Sequence, residues 1–215
     1  TSITPIIYGA SKALEHYKEK IHLKELEVFT IKDADKAKKS KINVINVSSE
    51  EITIEEGKES VNAGKIAVLA LEKAAKDIST GAIDAIVTAP ISKSVCQKAG
   101  FEFPGHTEYF SSLSNGAEAL MLLSSSIMKI ALVTTHVALK EVSSNIDKEK
   151  IMNKAKVFDQ SLKKDFAIRK PKIAILSLNP HSGEDGKMGS EEKEIIIPAI
   201  NELKSEGVLA FGPYP

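Results

Sequence analysis

The sequence predicts an α/β fold, with a mainly parallel sheet flanked by helices. Two observations predict it. Three apolar runs, at residues 82–88, 129–135 and 172–178, are nearly continuous rather than alternating, as in strands covered on both faces. Between them, apolar residues recur at three- and four-residue intervals, as on one face of a helix. Strands that alternate with helices are typical of a parallel sheet.

Four further segments are weaker strand candidates, at 5–8, 26–30, 42–47 and 119–123. They are short and rich in β-branched or apolar residues, but their apolar runs are less continuous. They complete a pattern of strands and helices along the whole chain.

Three helices are predicted. The first covers 61–78 and the second 151–166, where Asp147 is placed to cap the free N–H groups. The last begins at Ser190, and two glutamates in its first turn suit the positive end of the helix dipole.

Composition excludes several classes of protein. Lys plus Arg is 29 and Asp plus Glu is 29, so no net charge favours nucleic acid or a membrane surface. The single cysteine, Cys96, excludes an intrachain disulfide and a thiolate metal cluster, and it fits the reducing cytoplasm, where we expect the protein. Arg169 is the only arginine, so a phosphate ligand must be held by lysines, backbone N–H groups or residues outside the chain.

Three histidines follow predicted strands. His136 closes the run at 129–135, His181 lies shortly after 172–178, and His106 comes after 82–88. Because ligands bind beyond the carboxyl ends of parallel strands, these loops are the first places to look for a site. Two imidazoles there can bind zinc or a transition metal. His136 and His181 are 45 positions apart, which is no linear metal motif, and each also fits a hydrogen-bonded residue at a loop end.

Two loops are candidates for anion binding. Lys93 ends a strand-to-helix junction at 88–93, where it fits either a phosphate contact or a solvent-facing side chain. The glycine-rich segment 183–189 precedes the last helix, so its N–H groups can approach an anion, although a plain connecting loop fits as well.

Six short motifs occur together and in a fixed order. They are Thr-Ala-Pro-Ile-Ser-Lys at 88–93, Gly-His-Thr-Glu at 105–108, Thr-Thr-His at 134–136, Leu-Asn-Pro-His-Ser-Gly-Glu at 178–184, Gly-Ser-Glu-Glu at 189–192 and Ile-Pro-Ala-Ile at 197–200. In these motifs the chain resembles the 4-hydroxythreonine-4-phosphate dehydrogenase family. The likeness covers most of residues 82–215 and is looser over 1–60.

The resemblance implies an oxidoreductase with the fold of isocitrate and isopropylmalate dehydrogenases. Such enzymes are homodimers with the active site between subunits. With NAD and a divalent metal ion they oxidise 4-phosphohydroxy-L-threonine, and loss of carbon dioxide gives 3-amino-2-oxopropyl phosphate for pyridoxal phosphate (vitamin B6) synthesis.

The resemblance also implies roles for four residues. His136 and His181 match two of the family's three metal-binding histidines, and His106 and Thr107 match its substrate-contacting pair. Imidazole ligands favour zinc or cobalt over magnesium. No residue is assigned to NAD or to a catalytic acid or base. Residues 1–215 are expected to be the central portion of a longer two-lobed enzyme, without the family's N-terminal glycine-rich segment and its C-terminal part, which carries the third histidine.

Three alternatives stay open at this stage. The first is a dehydrogenase for another four-carbon phosphorylated acid, such as erythronate or threonate phosphate. The second is a protein like the phosphate acyltransferases, which needs no metal. The third is a non-catalytic binding domain, in which His136 and His181 have no metal role.

Overall fold

The structure is a computed structural model that describes residues 3–49, 52–114 and 119–215. The chain divides into two compact units, Thr1–Ala117 and Glu118–Pro215. Parallel strands and helices occur in both units, which confirms the α/β class. No helix within the described ranges has the length and apolar character needed to cross a bilayer.

The first unit contains a three-stranded parallel sheet. Its strands are β1 (Ile6–Gly9), β2 (Val28–Ile31) and β3 (Ile42–Asn46), in the order β1-β3-β2. Val44 and Ile45 of the central strand are almost fully buried, as expected where both neighbours are paired. The three N-terminal strand candidates are therefore confirmed.

Four helices surround this sheet or follow it along the chain. They are α1 (Ser11–Lys20), α2 (Val61–Ser79), α3 (Lys93–Lys98) and α4 (His106–Ser112). The predicted helix at 61–78 is thus confirmed, and the Ser60 hydroxyl accepts a hydrogen bond from the Ala63 N–H at its start.

Helices α2 and α3 pack closely because Gly64 has no side chain. A Cβ atom at Gly64 would lie 2.7 Å from the carbonyl oxygen of Val95. Cys96, which is 1% exposed, fills the adjoining core as a small apolar side chain. The buried members of that core are Leu71, Ala75, Cys96, Phe101 and Tyr109.

The predicted strand at 82–88 is wrong. This segment has no strand assignment, and its Val87 side chain is 97% exposed. A strand needs a neighbour to pair its backbone groups, and no described residue pairs with this segment. The apolar composition of residues 82–88 favours burial, but the described residues do not cover this segment.

The second unit contains two pairs of strands. Strands β4 (Leu122–Ser124) and β5 (Lys129–Ala131) are antiparallel, whereas β6 (Ile173–Leu176) and β7 (Ala210–Tyr214) are parallel. The predicted strand at 172–178 is confirmed as β6. The candidate at 119–123 overlaps β4 only in part.

The prediction for 129–135 is half wrong, since the strand is shorter than predicted and antiparallel. The cause is a tight turn between β4 and β5, in which the Ser125 hydroxyl accepts hydrogen bonds from the N–H groups of Ile127 and Met128. This turn folds the strand back on its sequence neighbour. The chain beyond Ala131 is irregular up to His136.

Two long helical segments complete the second unit. Helix α5 (Lys148–Lys164) begins at Asp147, whose carboxylate accepts a hydrogen bond from the Lys150 N–H at 2.7 Å, as predicted. Helix α6 (Ile197–Ser205) follows directly on a π-helical turn at Glu192–Ile196. The helical segment begins directly after Ser190, as predicted, and the Glu194 N–H donates to the Ser190 carbonyl at 2.9 Å. Among the described residues, no hydrogen bond to the Ser190 hydroxyl is found, so the predicted side-chain cap is not observed.

Candidate active site

His136 lies five residues beyond β5, in an irregular segment on the surface. Its side chain is exposed, and its backbone has φ 55°, in the left-handed region. A non-glycine residue adopts this conformation infrequently, although histidine is among the residues enriched there. Within the described ranges no hydrogen bond to its ring is found.

His181 lies in a compact left-handed turn after β6. Residues 181–185 all have positive φ, from 41° to 79°, within the turn Pro180–Gly186. The His181 side chain is exposed, and no described group hydrogen-bonds to its ring. The two histidines are therefore alike: both side chains are exposed, both residues have a positive φ, and no described group hydrogen-bonds to either ring.

The approaches to these two histidines pack on one hydrophobic core. Val133 and Leu178 both contact the buried cluster that includes Phe158 and Ile173, and each lies three positions ahead of its histidine. The segments that lead to the two histidines therefore pack against the same core. The sharing of one ion by His136 and His181 stays a prediction.

The donor set fits a divalent cation in part. Exposed imidazoles with free nitrogens are ordinary ligands of zinc and of cobalt. Across residues 3–49, 52–114 and 119–215, no group of three or more His, Cys, Asp or Glu side chains is arranged to hold a metal ion. Two ligands are therefore the most that His136 and His181 supply, and the described chain adds no third.

A network of polar side chains supports the His181 turn. The Glu192 carboxylate accepts hydrogen bonds from the backbone N–H groups of Leu178, at 2.9 Å, and of Asn179, at 2.7 Å. The Asn179 amide nitrogen donates to Glu192 at 2.9 Å and to Glu191 at 2.7 Å. Glu192 is 2% exposed, so this carboxylate is buried at the base of the loop.

The network extends to the segment that follows His136. The Ser143 hydroxyl donates a hydrogen bond of 2.5 Å to Glu191, whose other oxygen is bound by Asn179. Glu191 therefore connects the loop after His136 with the residue two positions ahead of His181. This is the clearest described link between the two histidine loops.

Both glutamates are held in the ionised form. Burial alone raises the pKa of Glu192, but hydrogen bonds from the Asn179 side chain and from the Asn179 and Leu178 N–H groups outweigh it, so this pKa lies below its ordinary value. The pKa of Glu191 is also lowered, chiefly by the hydrogen bond from Ser143. A fixed negative charge thus lies behind the His181 turn.

Sequence reasoning missed the role of Asn179 and Glu192. Glu192 was expected only to suit the helix dipole. A signal was present, since Glu192 has the spacing of the buried helix face formed by Ile196, Ala199 and Leu203. A charged residue on such a face must be paired. Asn179 before Pro180 is likewise a common start of a turn.

In the first unit, the structure brings Lys93 next to the motif that contains His106. A Cβ atom built on Gly105 would lie 3.7 Å from the Lys93 Nζ atom and 3.3 Å from a Glu108 carboxylate oxygen. The two motifs, 12 residues apart in the sequence, therefore lie next to each other. The His106 Nε2 atom is buried and has no hydrogen-bond partner among the described residues, whereas the Thr107 side chain is exposed.

These features agree with comparisons to known proteins. The family model described as pyridoxal phosphate biosynthetic protein PdxA matches residues 1–215. Proteins named 4-hydroxythreonine-4-phosphate dehydrogenase from Bacteroides thetaiotaomicron and Sulfurihydrogenibium sp. are each 42% identical to this chain over 212 residues. Those alignments cover 98% and 99% of the chain but 58% and 65% of the relatives, so the chain spans about three-fifths of their length.

Solved structures agree with the sequence comparisons. A crystal structure of a 4-hydroxythreonine-4-phosphate dehydrogenase from Burkholderia phymatum matches with a TM-score of 0.86 and 30% identity. The match covers 100% of this chain and 65% of that one. The fold described here is therefore the fold of the matching part of that protein.

Proposed function

The chain belongs to the family of the pyridoxal phosphate biosynthetic protein PdxA, and from that membership we propose that it forms part of a metal- and NAD-dependent dehydrogenase. The proposed reaction oxidises the secondary alcohol of 4-phosphohydroxy-L-threonine. The observation that carries the proposal concerns His136 and His181. Both side chains are exposed, both backbones are in the left-handed region, and neither ring has a hydrogen-bond partner among the described residues. The dehydrogenase names of the relatives support it.

The proposed metal site uses the imidazoles of His136 and His181. A bound divalent cation supplies Lewis acidity, which favours deprotonation of a hydroxyl and stabilises negative charge on a carbonyl oxygen. The two histidines hold that cation as neutral ligands, with remaining ligands from water, substrate or protein outside the described residues. Zinc or cobalt fits these ligands better than magnesium does.

The proposed substrate contacts are His106 and Thr107. A buried His106 Nε2 atom without a partner is costly unless a ligand supplies one, and a substrate oxygen can do so. The Thr107 hydroxyl is exposed and can donate to the same molecule. Lys93, beside Gly105, is placed to attract a phosphate group on that surface.

The proposed chemistry balances without a further reactant. The alcohol carbon loses a hydride to NAD and its oxygen loses a proton, which gives a β-keto acid. That acid loses carbon dioxide, with a proton taken up at carbon, and leaves 3-amino-2-oxopropyl phosphate. No residue of the described chain is assigned to the nicotinamide or to the proton transfers.

The proposal includes an assembly and a location. Residues 1–215 form the central portion of a longer two-lobed enzyme, which acts as a cytoplasmic homodimer with its active site between subunits. Family membership supports this arrangement. The chain's length, about three-fifths of its relatives, supports the view that further residues complete the site.

The reaction is tested on the longer polypeptide that contains this chain. With 4-phosphohydroxy-L-threonine, NAD and zinc or cobalt, we expect equal amounts of NADH and carbon dioxide, and a chelator abolishes both. Erythronate and threonate phosphates serve as competing substrates. Preference for one of them would replace the proposed substrate, and activity that survives complete metal removal would contradict the metal mechanism and favour acyltransferase-like chemistry.

A further inference from the structure

The turn that carries His181 has a conformation that needs external support. Five consecutive residues, 181–185, have positive φ, and Gly183 is the only glycine among them. For L-residues the left-handed conformation costs roughly 1–2 kcal/mol each, and runs of it are rare. Such a run persists only where surrounding contacts fix it.

The Glu192 carboxylate supplies such contacts at the entrance of the turn. One oxygen accepts the N–H groups of both Leu178 and Asn179, and the other accepts the Asn179 amide. These bonds fix the last two residues before Pro180. A charged acceptor makes stronger hydrogen bonds than a neutral one, and burial strengthens them further.

The same carboxylate also lies against the middle of the turn. A Cβ atom at Gly183 would be 2.8 Å from a Glu192 oxygen and 2.8 Å from the Gly189 carbonyl oxygen. The turn therefore closes onto Glu192, and only glycine fits at position 183. The chain just after the turn is also bonded back to Gly183, because the Met188 N–H donates to the Gly183 carbonyl at 3.1 Å.

Glu192 is itself held by the helix behind it. It begins the π-helical turn Glu192–Ile196, whose last residue, Ile196, is buried in the core at 3% exposure. π-Helical turns are rare and occur frequently at functional sites. At the start of this turn, the carboxylates of Glu191 and Glu192 both accept hydrogen bonds from the side-chain amide of Asn179.

We propose that Glu192 is a positioning residue for His181: its buried carboxylate holds the left-handed turn and thereby sets where the imidazole is presented to a metal ion. Asn179 acts with it, and Glu191 extends the support to Ser143, in the segment after His136. The metal part of this inference rests on the proposed function. The part that concerns the conformation of the turn does not.

The first experiment measures the turn in the absence of metal. In Glu192→Gln, the new amide nitrogen faces the Asn179 amide, donor against donor, and the remaining bonds lose their charge. We expect amide hydrogen exchange at Leu178 and Asn179 to be about tenfold faster than in the unmodified chain. Glu194→Gln is the matched control, because Glu194 lies exposed in the same π-helical turn, and it leaves that exchange unchanged.

The second experiment measures Co²⁺ affinity, which depends on where the turn places the His181 imidazole. Co²⁺ is titrated into the longer polypeptide that contains this chain and its absorption bands are followed, with circular dichroism as a check on folding. We expect Glu192→Gln to weaken Co²⁺ affinity about tenfold while the circular dichroism spectrum is unchanged. Glu194→Gln binds Co²⁺ as the unmodified chain does. If Glu192→Gln does not fold, Asn179→Ala replaces it, and the same changes are expected.

The outcomes separate this inference from the proposed function. Unchanged exchange at Leu178 and Asn179, or unchanged Co²⁺ affinity in a folded variant, overturns the positioning role. If the longer polypeptide binds no Co²⁺ at His136 and His181, the metal site is contradicted instead, and the exchange measurement still decides whether Glu192 holds the turn.

Discussion

The Glu192 carboxylate lies 2.7 Å from the backbone nitrogen of Asn179, across 13 positions of the chain. This bond joins the start of a helical segment to Asn179, three residues beyond the end of β6 and two residues ahead of His181. A buried negative charge is thereby satisfied by N–H groups rather than by a cation. The position of His181 consequently depends on a residue that no ligand needs to touch.

Acid should weaken the second unit through Glu192. Its pKa is lower in the folded chain than in the unfolded one, so its contribution to stability is complete above about pH 4.3 and is lost as the pH falls through the folded pKa. We expect the difference in unfolding free energy between the unmodified chain and Glu192→Gln to shrink over that range. Denaturant unfolding at several pH values measures it, and a difference that does not vary with pH would contradict the assignment.

Gly64→Ala should destabilise the first unit. The added methyl group would lie 2.7 Å from the Val95 carbonyl oxygen, so α2 and α3 must separate, at a cost of about 1–3 kcal/mol. Gly9→Ala is the control, because nothing lies within 4 Å of a Cβ atom there, and we expect a change below about 0.5 kcal/mol. Equal effects of the two substitutions in urea unfolding would show that close packing at Gly64 is unimportant.

Loss of the Asp147 cap should destabilise α5. Asp147→Ala removes the acceptor for the Lys150 N–H and should lower the free energy of unfolding by about 1 kcal/mol. Asp147→Asn keeps a good capping oxygen and should lose much less. Thermal unfolding of both variants checks this, and an Asn variant as unstable as the Ala variant would indicate a role for charge rather than for the hydrogen bond.

Residues 1–215 alone should bind metal weakly and show no turnover. The proposed site has the imidazoles of His136 and His181, the described residues contain no group of three metal-binding side chains, and none of them is assigned to NAD. The measurement is NADH formation by the chain with NAD, zinc and 4-phosphohydroxy-L-threonine. Rapid NADH formation would refute the view that further residues complete the site.

Local sequence patterns predicted the elements that are stabilised by residues nearby in the sequence. The Asp147 cap, helix α2 and the strands β1, β2 and β3 depend on spacing and capping residues that the sequence displays. Two features stay predictions, because they concern the longer enzyme rather than this chain. They are the relation to isocitrate and isopropylmalate dehydrogenases and the two-lobed arrangement.

Features that depend on distant partners could not be predicted in this way. Residues 82–88 have the composition of a buried strand, but pairing requires a neighbour that the described residues do not provide. The left-handed turn at 181–185 departs from what its side chains prefer, and it becomes intelligible only with Glu192 behind it. The metal role that the sequence predicts for His136 and His181 stays a prediction, whereas the contacts that support the His181 turn are visible only in the structure.

The most direct test of the account is a Co²⁺ titration of the longer polypeptide that contains this chain and of three histidine variants. We predict that His136→Ala and His181→Ala each abolish the Co²⁺ absorption bands, since one ion needs both rings. His22→Ala, with the same loss of one histidine in a loop of the first unit, leaves them unchanged. Unaltered Co²⁺ binding in either His136→Ala or His181→Ala would contradict the shared metal site.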